Sequence, residues 1–448
     1  MNYEKIKSAA LALLVLISLA LTWGIWNYQP SYQTITDSAG ENIVTEVEMG
    51  EERKISDLLK PSRLISHQEG SHYGTIAKQD LDWVMKEMRE WTFMEPENIS
   101  NSLNEAEFSK LLSSDSHVEL FFSSSIPFNT FKTMVSFSDK TVPNAVFNRV
   151  VITEAEQKNK VFVYFVSVKE RLVFKSEVQT GSLREFKQRY VENHDRLEPY
   201  ISYQVPDGAR LYVRKEPPVL TVQSYLPEQI DADTFKRALF NDPSYVQRSS
   251  SGEGEGYITD GTSFMRINSS TGTVRYVNPS VVPEPMPLDQ LIEKSIDFVN
   301  EHHGWVDSYR LFQTKPGSTE ISYRLFLGDF PVFSPPGMAS MTELSQIWGR
   351  ERIYQYDRSS FIVELDKPVS PGTGTVELKS GQEALNEVLE LETVDPKLLT
   401  DMRIGYEMTL KQESPKVVVA FEPFWYYQYD GGWQKLVTDE GGQVDGLE

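Results

Sequence analysis

The chain contains no cysteine, which removes disulfide bridges, thiol nucleophiles and cysteine metal sites together. Stability must come from packing. Positive charge is also in short supply, with 44 Lys and Arg against 65 Asp and Glu and a formal net charge of −21. Phosphate binding needs a concentrated basic surface, so no nucleic-acid partner is expected. Histidine is scarce: His67, His72, His117, His194, His302 and His303 are the six in the chain, and none lies in HExxH spacing. There is no GxSxG elbow, SxxK, P-loop or dinucleotide fingerprint. These absences assign no catalytic, cofactor-binding or metal residue.

Two histidine groups have plainer readings. His67, Glu69 and His72 in "HQEGSHYG" come nearest to a ligand set and read as a solvated polar loop. His302 and His303 end a helix, where a cation suits the dipole. Carboxylates are plentiful, but sequence spacing does not reveal the separation a glycosidase pair requires.

Long hydrophobic runs are missing, with one exception. From Ala9 to Trp26 the chain is apolar and uncharged, about 27 Å as a helix and close to the thickness of a bilayer core. Ser18-Leu19-Ala20 offers one weak signal-peptidase site, but cleavage there would leave Leu21 to Trp26 as an apolar new terminus. Trp23, Trp26 and Tyr28 read instead as an interfacial aromatic belt, so the span is expected to be retained. Lys5 and Lys7 precede it, while positions 31–45 hold acidic residues and no Lys or Arg. The positive-inside rule then places Met1 in the cytoplasm and the bulk outside. Ser8, Ala12, Leu16, Ala20 and Gly24 recur every four residues, and four of the five are small, a stripe that would admit a second helix.

What remains is globular, with 40% apolar and 12% aromatic residues. Residues 1–7 read as a cytoplasmic tail, 8–28 as a transmembrane helix and 29–61 as a polar tether. Residues 62–198 form an expected N-terminal α+β domain: "QDLDWVMKEMREW" puts Leu81, Val84, Met85, Met88 and Trp91 on one helical face. Strand-like "HVELFFSS", "VFNRVVIT", "VFVYFVSV" and "RLVFKSEV" follow it, and Ser182 with Glu185 makes a capping box. Residues 199–285 read as a β-rich middle domain with a meander that turns at Asp260-Gly261, which argues against a nucleophile there. Residues 286–448 repeat a unit of helix and antiparallel strands, "LDQLIEKSIDFVNEHHGW" opening the first and "GQEALNEVLELE" the second. The aromatic run "FEPFWYYQYDGGW" reads as a packed hairpin. The fold class is α+β: one N-terminal transmembrane helix, then three extracytoplasmic domains of antiparallel sheets with packed helices.

The opening "EKIKSAALALLVLISLALTWGIWNYQP" resembles the YycH (WalH) family amino terminus, through Ile6-Lys7-Ser8 and Leu21, Thr22, Trp23, Trp26, Tyr28 and Pro30. The last block resembles the folded part of the sister YycI family in the order of its helices and strands. The resemblance implies a non-enzymatic, single-pass cell-membrane regulator in Gram-positive Bacillota, acting with a YycI-like protein on the sensor histidine kinase WalK (YycG) in the control of cell-wall metabolism. The implied partners are that YycI-like regulator, WalK and the lipid membrane, with a homodimer open as well and no cofactor. Two alternatives stay open: an extracytoplasmic module that binds wall fragments or peptides, and a carboxylate-dependent wall hydrolase.

Overall fold

The computed structural model describes residues 49–437 except 115, 155–160, 180–183, 194–195, 207, 209, 251–254, 315, 366 and 414–415, together with residues 7, 13–16 and 18. Residues 45–448 form one compact unit. Ser182 of the expected capping box and His194 lie outside the described residues.

The first half is organised by β1 (Arg63–Gln68), β2 (Ser71–Thr75), β3 (His117–Pro127), β4 (Val146–Glu154), β5 (Val161–Ser167), β6 (Leu172–Gln179), β7 (Glu198–Gln204) and β8 (Arg210–Arg214). They pair in the order β8-β7-β2-β1-β3-β4-β5-β6, and short strands extend the sheet beyond β6. The longer helices of this half are α1 (Lys78–Arg89), α2 (Glu105–Ser113) and α3 (Arg184–Tyr190). In α1 the expected Leu81, Val84, Met85 and Met88 are buried, because three- and four-residue spacing aligns them on one side. In the same apolar core Phe128 and Phe131 each meet Phe147 and Phe165 edge to face, with Phe128 centred 5.1 Å from Phe147 and 5.0 Å from Phe165.

The second half adds β9 (Val219–Tyr225), a meander of β10 (Gln247–Ser250), β11 (Glu255–Thr259), β12 (Phe264–Asn268) and β13 (Thr273–Val277), and then β14 (Tyr309–Thr314), β15 (Glu320–Leu327) and β16 (Phe330–Phe333). It ends with β17 (Glu343–Trp348), β18 (Ile353–Ser359), β19 (Ser370–Glu377), β20 (Leu399–Glu413), β21 (Lys416–Tyr429) and β22 (Gly432–Lys435). The sheet order is β10-β11-β12-β13-β18-β17-β15-β16-β20-β21-β9-β19, with β14 on β15 and β22 on β21. Helices α4 (Ala232–Leu239), α5 (Leu288–Asn300) and α6 (Gly381–Glu390) belong to this half. Leu288, Leu291, Ile292, Ile296 and Val299 of α5 are all buried, and Ser380 with Glu383 caps α6 as the sequence predicts.

Three features differ from the sequence reading. The strands of 199–285 build no sheet of their own: β7 and β8 extend the first sheet, while β9 and the meander enter the second. These pairings join residues far apart in the chain, which local patterns do not encode. Packing also begins earlier than residue 62. Glu51 bridges to Trp305, the Arg53 amide donates to Asn300 Oδ1, and Leu58 and Leu59 are buried. Finally, "HQEGSHYG" is a hairpin and not a loop; β1 and β2 turn at Glu69 and Gly70, both at positive φ, and His67 stands opposite His72.

Candidate functional site

Alternation along a strand sends every second side chain to one face. On β3 this puts His117 and Glu119 together, and the register sets His67 of β1 directly across from His117. His72 of β2 lies across from His67 on the other side. The result is a row of three imidazoles with a carboxylate beside it. His67 and His117 stack at 4.2 Å between ring centres, and Tyr212 of β8 covers His67 and His72 edge-on. Its hydroxyl donates to the Leu112 carbonyl at the end of α2.

His67, His117 and Glu119 are 1%, 2% and 0% exposed, so water does not screen them. Burial would push the Glu119 carboxyl up, but Arg149, whose Nη1 donates to Oε1 at 2.8 Å, and His67, whose Nε2 lies 3.5 Å from Oε2, hold it down at about 2. Burial, helped by the neighbouring His67, lowers His117 to about 4. His117 is bonded to the Ser114 backbone, and His67 Nδ1 is 2.9 Å from His72 Nδ1, whose own Nε2 is 3.1 Å from Ser202 Oγ. Either ring can be the donor in these contacts, and the Nε2 atoms of His67 and His117 both face Glu119.

A second buried ionic group lies on the same sheet face, at the junction of the halves. Asp401 of β20 accepts from Arg63 of β1 at 2.8 Å and is clasped by Arg403, which also donates to Ser123 of β3 at 3.2 Å. Burial opposes ionisation of Asp401, but Arg403 and Arg63 hold its carboxyl far below the usual range. Arg63, Arg403, Arg214, Glu198 and Trp425 line a cleft here. Arg214 of β8 pairs with Glu198 of β7 at 2.8 Å, an ion pair within the first sheet at the wall of the cleft.

His302 corrects the expectation of a helix-terminal cation. It is buried beside Phe298 and Tyr356, and burial followed by the nearby Arg358 lowers it to about 3, leaving it neutral. Asp307 is buried close by, accepts from the Val363 amide at 3.2 Å, and is raised by burial to about 7. These two act oppositely on stability. The lowered histidine favours folding above its unfolded pKa, near 6.5, and that contribution is lost as pH falls toward about 3. The raised carboxyl favours folding below its unfolded pKa, near 3.8, and that contribution is lost as pH rises through about 7. Each tenfold change in proton affinity between the folded and unfolded chain is worth about 1.4 kcal/mol. Asp307→Asn, which keeps the acceptor, is therefore expected to stabilise the chain by a few kcal/mol at pH 8 and to change little at pH 4. Urea titrations at the two pH values check this, and an equal effect at both would refute it.

The carboxylate of Asp260 accepts from the amides of Thr262 and Ser263 at 2.8 and 2.7 Å, so these residues form a hairpin turn and no nucleophile group. The aromatic run is likewise the hairpin β21–β22, turning at Asp430 and Gly431. Of the expected membrane residues, Lys7 and Leu16 are helical and exposed. Lys5, Ser8, Ala12, Ala20, Trp23, Gly24, Trp26 and Tyr28 lie outside the described residues. Among the described residues no helix is long and apolar enough to cross a membrane. Glu119 was missed by the sequence reading, although the pattern His-x-Glu opening a strand was its signal.

Known proteins share both the sequence pattern and the fold. The YycH N-terminal domain matches residues 4–194, and the YycH C-terminal domain matches residues 209–440. The chain belongs to the YycH family. A Bacillus subtilis (strain 168) protein named as the two-component system WalR/WalK regulatory protein YycH is 23% identical over 447 residues, covering 98% of this chain and 97% of its own. The crystal structure of YycH from Bacillus subtilis superimposes with a TM-score of 0.72 at 20% identity, covering 87% of this chain and 99% of that one, so the YycH fold is shared. The break between the two family domains falls within 195–208, where β7 carries the chain across the first sheet.

Proposed function

We propose that this YycH-family chain is a membrane-anchored, non-enzymatic regulator of a WalK-type sensor histidine kinase, acting with a YycI-like partner in cell-wall control. The observation that carries the reading is the end-to-end match to a WalR/WalK regulatory protein, which includes the amino-terminal segment. Two features support the anchor. The apolar run from Ala9 to Trp26 is of spanning length, and Leu13, Leu14, Val15 and Leu16 are helical with more than half of their surface exposed. The amino terminus is then cytoplasmic and the bulk extracytoplasmic. Such a regulator shifts the kinase only by the difference in its affinity for the two signalling states.

The stripe Ser8, Ala12, Leu16, Ala20 and Gly24 is the proposed helix-pairing face, with Lys5, Lys7, Trp23, Trp26 and Tyr28 at the membrane interfaces. Replacing Ala12, Ala20 and Gly24 with Leu is expected to leave the protein in the membrane but weaken its recovery with the kinase or the YycI-like protein. Interhelical contacts of this kind are worth on the order of 1 kcal/mol each, so the triple variant should lose several-fold or more in co-purification. Pull-down from detergent-solubilised membranes measures it. Unchanged recovery would move the interaction to the extracytoplasmic surface, and a mature chain beginning at Leu21 would refute the anchor.

A further inference from the structure

Three donor atoms in the first sheet point at one another without partners. His67 Nε2, His117 Nε2 and Glu119 Oε2 are each buried, and none has a hydrogen-bond partner on the protein. All three lie within 4.8 Å of one another, with His67 Nε2 and Glu119 Oε2 at 3.5 Å. A buried polar atom left unpartnered is costly, and protein interiors rarely hold three together. We infer that His67, His117 and Glu119 bind a divalent transition-metal ion of the zinc class.

The donor set selects the ion. Two imidazole nitrogens and one carboxylate oxygen suit zinc and its neighbours, whereas magnesium and calcium favour all-oxygen shells. Distances agree with that choice. Metal–ligand bonds of about 2.0–2.2 Å set tetrahedral donors roughly 3.3–3.6 Å apart, and the His67–Glu119 pair is already at that spacing. His117 completes the set by tilting its ring out of the stack with His67.

The supporting contacts are of the kind that orient metal ligands. His117 is held through the Ser114 backbone, His67 through His72 Nδ1 at 2.9 Å, and Glu119 Oε1 by Arg149 at 2.8 Å. Each bond occupies the far atom of its ligand and leaves the near atom facing the centre. Strands β1 and β3 supply the ligands and their neighbours β2 and β4 supply His72 and Arg149 as supports, so a bound ion would pin β1 to β3 at the centre of the row. Three protein donors also leave a fourth position for water or an incoming group. The half-exposed His72, beside the β1–β2 turn, marks the route to solvent.

The test uses the full-length chain in detergent with Zn²⁺ alone, in competition with a chromophoric chelator, and Co²⁺ as a spectroscopic substitute. One Zn²⁺ per chain is expected, with the visible absorption of tetrahedral Co²⁺. His117→Phe and His67→Phe keep a ring in the core and should each weaken binding more than the about 10–100-fold that a supporting residue commands. His303→Ala, outside the cluster, should leave it unchanged. Should the Phe variants fail to fold, X-ray absorption on the Zn²⁺-loaded wild-type chain decides the matter, with two imidazoles and a carboxylate in the shell as the supporting result. Absence of Zn²⁺ binding by the folded wild-type chain, affinity unaffected by a folded His117→Phe, or an all-oxygen shell overturns the assignment. Those results would leave the row as a buried ion-paired His–Glu–Arg group.

Discussion

Asp401→Asn is expected to destabilise the folded chain by about 3–5 kcal/mol at neutral pH, the usual cost of removing one partner from a buried ion pair. The side chain is nearly inaccessible and is the counter-charge of both Arg63, at 2.8 Å, and Arg403. Losing it leaves two guanidiniums facing each other in low dielectric, with Arg63 over the Phe121 ring at 4.5 Å and Arg403 over Trp433 at 4.8 Å. Those ring contacts remain but do not replace a carboxylate. The loss should be recovered in part by Arg63→Met in the Asp401→Asn background, because a buried charge with no partner is then removed. Urea denaturation of the four variants in a double-mutant cycle measures the coupling. An additive cycle would show that the junction is held by apolar contacts alone.

Phe128→Ala should cost about 3–5 kcal/mol for a different reason, the lost transfer energy of a fully buried ring and the cavity it leaves. Phe128 is 0% exposed and meets Phe147, Phe165 and Phe174 at 5.1, 5.0 and 5.2 Å. Each partner sits on a strand whose other contacts fix it, so the site can collapse only slightly. The two variants together test cooperativity. One continuous apolar core includes Phe128 and Phe147 from the first half and Leu291, Trp305 and Tyr323 from the second. Both substitutions should therefore lower a single unfolding transition for residues 45–448. If Phe128→Ala moved one transition and left a second in place, the halves would be independent domains after all.

The Arg63–Asp401–Arg403 group ties β1 of the first sheet to β20 of the second. A side chain at position 381 would push α6 away from β8, because a Cβ there would sit 2.0 Å from the Arg214 carbonyl oxygen. Helix α6 can lie against β8 only because it begins with glycine.

The amino-acid sequence by itself determined the local elements and the family. The apolar face of α1, the buried set of α5, the Ser380–Glu383 cap and the turns at Asp260-Gly261 and Asp430-Gly431 are each written within a few neighbouring residues. Periodicity and turn chemistry act over that range, so they are legible without coordinates. The tertiary structure decided what meets across long separations: His67 with His117 and Glu119, Arg63 with Asp401, and β7 and β8 with the first sheet. It also decided that His302 is a buried neutral ring and not a terminal cation. The cost of closing a loop grows only slowly with its length, so a strand can also pair with a distant partner, as β2 does with β7. A row of polar residues on a buried sheet face exists only after such pairing has been made.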